Sequence, residues 1–413
     1  MSTEDGPPGE GRVSEYPIHI KFFWDRKIFQ HLTERKSKEK MTSRERILSV
    51  YRGKNTDRIP FMLDLSHWFY HRNRMPWDLS KSYDLPEKEL IDYHKKMGVG
   101  FYMPNLGSFY ETTYPSEIKI ATTKSADGRE IRWRISTRSG TLERVRVWEE
   151  DNYAWGIPEW SIKDEEQLLL LADVLSARKF QSDWEKYRAW VNYVGDTGVV
   201  YLGMGYSGMG HLLNYWMGIE GTMYAICDWP ETVKSAVDKI NANNLELIDL
   251  ACTSPAEVIV MGDNFSSDIQ PPSFFEEWSK EYYAEAIRRL HAAGKYVAVH
   301  IDGRLKGSLK MFSEIGADCA DAVTPGPTGD LSPAECRSDA GDKMILSGGV
   351  PPCLWLDSVS DEVFRQAVLE WLELSKTNPR VIANAGDQVP PNALEHRIIM
   401  MKELVEKYKE IWK

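Results

Sequence analysis

The sequence predicts an α/β fold: a (β/α)8 TIM-type barrel carrying an antiparallel β insertion and an N-terminal extension. Three observations carry this. Beyond residue 160, short apolar runs alternate with long helical patterns, the signature of βαβ units around a parallel sheet. Eight strand-like runs are present, at 58–65, 100–104, 199–206, 257–264, 295–302, 319–325, 343–350 and 380–387. No Gly-rich phosphate loop follows the first of them, which disfavours a doubly wound open sheet.

The elements follow in order. Residues 1–17 are acidic and rich in Gly and Pro, without the basic and apolar regions of a secretory signal, and their composition predicts disorder. Residues 18–40 join an aromatic patch to a basic helical run. The first 40 residues are expected to form an extension that packs on the body or on a second subunit, making a homodimer one expectation. Residues 41–413 form the barrel. Thr42 or Ser43 can cap a helix at 44–52 that stops at Gly53, and RIPFMLDL (58–65) reads as a buried strand. A helix at 86–97 ends at Gly98. Residues 117–149 alternate polar and apolar, with turns at Asp127-Gly128 and Ser139-Gly140, and read as an antiparallel hairpin or meander. Further helices are expected at 231–249, 273–293, 305–315, 332–338, 360–376 and 392–410, with Ser273, Ser332 and Ser360 as caps.

Composition narrows the function. Of 413 residues, 42% are hydrophobic and 27% charged, which fits a folded chain. A net charge of −11 argues against nucleic acid as a partner. No run approaches the ~18 apolar residues of a membrane helix. The cysteines (Cys227, Cys252, Cys319, Cys336, Cys353) are odd in number and form no CxxC pair, as in a cytoplasmic protein with reduced thiols.

Barrel enzymes work at the C-terminal ends of their strands. Here those ends hold Asp64, Ser66, His67 and Trp68, then Tyr206, then Asp263 and Asn264, then His300 and Asp302, and finally Asp387. His300 and Asp302, two apart, share a face of a strand, and Asp387 is the natural third ligand from across the barrel. Two readings fit: a divalent metal site, or a His300–Asp302 hydrogen-bonded pair with Asp387 as a helix cap. Asp263 suits a general base, a substrate anchor or an acceptor for loop amides. Tyr206, Trp68 and Met204 suit either an aromatic pocket or packing.

These strand ends, in this order, resemble the uroporphyrinogen decarboxylase superfamily. The likeness runs from MTSRERILSVYRGKNTDRIPFM through MGDNFSSDIQPPSFFEEW, HIDG, PTGDLSPAEC and LSGGVPP to NAGDQVPPNALEHRIIMMKELVEKY. It implies a distorted (β/α)8 barrel with its cleft at the strand C-termini. The decarboxylases of that superfamily carry an R-Q-A-G-R segment after the first strand. Here HWFYHRNR supplies Arg72 and Arg74 without the motif. TRSGTLERVR and WSIKDEEQLLLLADV look more like the cobalamin-linked methyltransferases. Thiol-activating members of that branch hold zinc through His-x-Cys and a further Cys, and the matching positions here are His300, Asp302 and Asp387.

The resemblance therefore implies methyl transfer from a small methylated substrate, a methoxylated aromatic ring or a methylated amine among the candidates, to a corrinoid carried on a partner protein. It also implies a divalent ion, zinc first, on His300, Asp302 and Asp387. Asp263, His67 and Tyr206 are the expected catalytic residues, and Asp64, Trp68 and Asn264 the expected substrate contacts. The alternatives are a metal-dependent decarboxylase or lyase acting on a small aromatic acid, and a non-catalytic barrel.

Overall fold

A computed structural model describes residues 40–73, 85–103 and 109–411. The expected N-terminal extension lies outside the described residues apart from Lys40, and Arg74 also lies outside them. The unit Met41–Lys413 is organised by eight strands: β1 (Met62–Leu63), β2 (Gly100–Phe101), β3 (Leu202–Gly203), β4 (Val258–Phe265), β5 (Tyr296–Ile301), β6 (Cys319–Val323), β7 (Ile345–Val350) and β8 (Val381–Ala385). Each coincides with a run predicted from sequence, β4 passing the end of its run by one residue, Phe265. β3 to β8 form a six-stranded parallel sheet in the order β8-β7-β6-β5-β4-β3, and β1 pairs in parallel with β2. Single parallel bridges join Phe61 to Ala383 of β8, and Phe101 to Gly198 just before β3. The two-stranded sheet thus meets both margins of the six-stranded one.

Helices and side chains cover both faces of β5 to β8, so their residues are almost all buried and read as near-continuous apolar runs. β1 and β3 are shorter than predicted. Pro60 cannot donate to a ladder, and the glycines of 201–211 give little side chain to pack.

Three expected caps form. Thr42 and Ser332 make reciprocal capping boxes with Glu45 and Glu335, and Ser360 caps Asp361–Glu373. Ser273 does not cap. That helix starts at Pro272 without a side-chain cap, and the predicted 273–293 helix is two, Pro272–Trp278 and Lys280–Ala292. Helices Glu165–Ser176 and Trp184–Val194 are further elements that the strand–helix pattern did not reveal.

The insertion is a four-stranded antiparallel sheet of Lys119–Lys124, Glu130–Ser136, Thr141–Glu149 and Ala154–Gly156. It extends past the predicted limit at residue 149. A separate antiparallel pair, Tyr110–Thr113 with Lys179–Ser182, brackets it. No helix among the described residues is long and apolar enough to cross a membrane.

Candidate functional site

A cavity of about 260 Å³ opens at the C-terminal ends of β3, β4 and β5. Its wall includes Met204, Tyr206, Asn264, His300 and, from the strand preceding the insertion, Tyr110. The strands themselves bring these residues together. His300 is the penultimate residue of β5, and β4 places Gly262 against it. Gly262 sits at φ 156°, and a Cβ there would lie 2.6 Å from the carbonyl oxygen of His300. Only glycine allows that approach.

His300 is paired across the sheet with Asp321 of β6, its direct register partner. The imidazole Nδ1 lies 3.2 Å from an Asp321 oxygen. Asp321 is fully buried, and the same oxygen accepts the hydroxyl of Tyr102. Burial acts to lower the His300 pKa. The hydrogen bond and charge of Asp321, helped by Asp387 and Asp302, outweigh it and raise the group to about 9. Asp321 is absent from the sequence-predicted set. The signal that marks it is a single acid inside the apolar strand CADAV.

Asp64 lies beyond β1, 1% exposed, accepting the Ser66 amide at 2.9 Å and hydroxyl at 2.5 Å. Gln388 reaches it at 3.4 Å. Burial pushes Asp64 up to about 6, against those hydrogen bonds. Burial likewise lifts Asp387 to about 6, with the positive field of His300 opposing and Asp302 and Asp64 adding. His300, Asp302, Asp387 and Asp64 therefore share one electrostatic neighbourhood. Among the described residues, however, no three His, Cys, Asp or Glu side chains meet as a metal-ligand set. His300 gives Nδ1 to Asp321, which leaves Nε2, and Asp302 and Asp387 lie in its electrostatic neighbourhood without meeting it as a ligand set.

The remaining predicted residues divide. Tyr206 and Asn264 line the cavity. Burial raises the Tyr206 hydroxyl to about 12. Asp263 is fully buried outside the cavity wall. It accepts the Ser207 amide at 2.8 Å and hydroxyl at 2.5 Å, and so fixes the loop that carries Tyr206. Burial lifts it to about 6, with Ser207 holding it down. It is a positioning residue rather than a proton carrier facing substrate. His67 is also absent from that wall. Its Nε2 donates to the Tyr153 carbonyl at 2.8 Å, tying the helix Ser66–Arg72 to the insertion. Trp68 is 2% exposed, packs against Tyr93 and donates to the Ala393 carbonyl at 2.9 Å. It is a core residue rather than a substrate contact.

Residues 200–408 match the uroporphyrinogen decarboxylase (URO-D) family. No curated protein matches the chain. A solved methyltransferase from Methanosarcina mazei superposes with a TM-score of 0.58, covering 89% of this chain and 99% of that one at 12% identity. At that identity the likeness establishes a shared fold.

Proposed function

The chain belongs to the uroporphyrinogen decarboxylase family, and from that premise we propose a methyltransferase that moves a methyl group from a small methylated substrate to a corrinoid on a partner protein. We also take the eight strands as a closed barrel, a reading supported by the two bridges that link β1 to β8 and β2 to the approach of β3. A neighbour in fold that is a methyltransferase, and the absence of an arginine-rich grip after β1, favour methyl transfer over tetrapyrrole decarboxylation.

The observation that carries the reading is the His300–Asp321 pair at the cavity wall. With Nδ1 held by Asp321, Nε2 is the nitrogen left for a substrate. The substrate binds with its methylated heteroatom toward His300. As the methyl carbon passes in line to the reduced cobalt of the partner's corrinoid, the carbon–heteroatom bond breaks. Its electron pair stays on the heteroatom, which takes the Nε2 proton. Asp321 keeps the ring oriented and holds it protonated until that moment, and Tyr206 packs beside the substrate.

The test is spectroscopic. Reduced corrinoid protein, the chain and a methoxylated aromatic donor should give the absorbance change of cobalt methylation. His300→Ala should slow it by ~10²–10⁴-fold, the usual worth of a general acid. Release of CO2 without corrinoid methylation would instead make the chain a decarboxylase.

A further inference from the structure

Three guanidinium groups gather beside the cavity, and none has a carboxylate partner among the described residues. Arg144 and Arg146 share one face of the insertion strand Thr141–Glu149. Arg144 is 8% exposed and lies 3.9 Å from the ring centre of Tyr215, 4.2 Å from that of Trp133 and 5.3 Å from that of Trp216. Its Nε is buried with no hydrogen-bond partner. Arg146 sits 5.2 Å from the Tyr215 ring and donates to the Trp155 carbonyl at 3.0 Å. Arg178, also 8% exposed, bonds the Leu175 carbonyl, Asn243 and Asn244, and its Nη1 lies 3.5 Å from His211 Nε2. The other ring nitrogen of His211 is buried and unpartnered.

That pattern departs from the rest of the insertion. Arg129 pairs with Glu150, and Arg132 with Glu130 and Glu143. In a chain with net charge −11, acids are plentiful, yet none among the described residues pairs with these three. A buried cation left uncompensated is costly, and an arriving anion relieves that cost. Burial lowers the pKa of both Arg144 and Arg178, the direction an uncompensated cation takes.

The cluster also reaches the cavity. Tyr206 lines the cavity, and its ring centre lies 6.0 Å from that of Tyr215, the ring against which Arg144 and Arg146 lie. Tyr110 lines it too and interacts with Arg178. Tyr215, under both insertion arginines, lies in the π-helical turn Leu212–Trp216, a geometry that concentrates at functional sites.

Resting on the methyl-transfer reading, we infer that Arg144, Arg146 and Arg178 form an anion subsite that takes the carboxylate of a methylated single-ring aromatic acid. Guanidinium forks match a carboxylate, and the rings of Tyr206 and Tyr215 offer faces to an aromatic body. The volume of about 260 Å³ lies just under the ~300–1,000 Å³ of most small-molecule sites, which suits one substituted ring. The same three cations repel a quaternary ammonium, so methylated amines are disfavoured donors.

The test is binding, read by calorimetry and tryptophan fluorescence on the full chain without corrinoid. The probes are 4-methoxybenzoate, its neutral amide 4-methoxybenzamide, and benzyltrimethylammonium. The acid should bind ~10–100-fold tighter than the amide, the worth of one or two charge-assisted hydrogen bonds. Arg146→Gln, at a half-buried side chain, should remove most of that preference while circular dichroism and melting stay as in the wild type. Arg144→Gln should act in the same direction. Equal affinity for acid and amide, no binding of the acid, tighter binding of the cation, or an unchanged preference in Arg146→Gln would each overturn the subsite. A chain that binds the acid but transfers no methyl group refutes the reaction and leaves the subsite standing. Methyl transfer from neutral donors alone does the reverse.

Discussion

Replacing Asp321 by asparagine isolates the charge that holds His300 protonated. Asparagine keeps the shape and an oxygen for the Tyr102 hydroxyl, so the change is electrostatic. In the wild type, burial would lower the imidazole, and Asp321 is the first of the groups that reverse this and bring it to about 9. An ordinary histidine titrates near ~6.5, and that gap corresponds to ~3 kcal/mol in favour of the charged ring. Only 16% of the His300 side chain is exposed, so solvent screens little of this. Without the Asp321 charge, burial should bring the midpoint to about 6.5 or below. The sign for stability follows from linkage. A folded value above the unfolded one stabilises the fold fully below about pH 6.5, and that contribution fades as pH rises through about 9. Asp321→Asn should therefore melt well below the wild type at pH 6, with the gap closing toward pH 9 and beyond. Proton NMR of the imidazole Cε1–H resonances gives the midpoint directly. The chain has nine histidines, and a His300→Gln sample identifies the relevant signal. A wild-type midpoint near 6.5, or one that Asp321→Asn leaves in place, would refute the account.

Two further substitutions probe how the site is held. Gly262→Ala places a Cβ 2.6 Å from the His300 carbonyl oxygen and 2.9 Å from its nitrogen, at a φ of 156°. It should cost ~1–3 kcal/mol in denaturant unfolding and cut methyl transfer at least tenfold; wild-type turnover in this variant would show that the close approach of β4 to β5 is dispensable. Arg397→Lys tests the frame. Arg397 is 1% exposed, donates to the carbonyls of Leu354 at 2.8 Å, Leu356 at 2.6 Å and Val359, and pairs with Asp361. A lysine cannot serve all of these, so a loss of ~2–4 kcal/mol is expected with the His300 midpoint unmoved. Full stability in a urea titration would contradict it.

The strands were legible because parallel strands covered on both faces read as apolar runs that end where the site begins. KYVAVHID and KMILSGGV announce β5 and β7 this way. Asp321 lies inside an apolar run, not just past its end, and so carries no such signal. Asp263 and Asn264 could not be told apart in the same way: the register of β4 against β5 shifts between Met261 and Phe265 and Asn264 sits at φ 52°, so Asn264 meets the cavity while Asp263 braces Ser207. Spacing alone does not say which of two adjacent polar residues faces inward. Arg144 was hidden for another reason. In LERVRVW it looks like the wet side of an alternating strand, and only the fold brings Tyr215 and Trp216 onto it.

That division between what is local and what is not also separates the chemistry from the selectivity. The floor of the cavity follows from the register of the parallel sheet: His300 faces Asp321 because β5 and β6 pair residue to residue. Changing any loop leaves that relation intact. The arginine wall has no such origin. Arg144 and Arg146 belong to the inserted antiparallel sheet and Arg178 to the turn before the strand Lys179–Ser182, all outside the parallel strands. An insertion can vary in length and charge without disturbing β-sheet register, whereas a shift in register would turn His300 away from its partner. On the proposed reading, the proton transfer rests on the parallel strands and the choice of substrate on the arginine wall, so substitutions in that wall should change selection among methyl donors without altering the His300 midpoint.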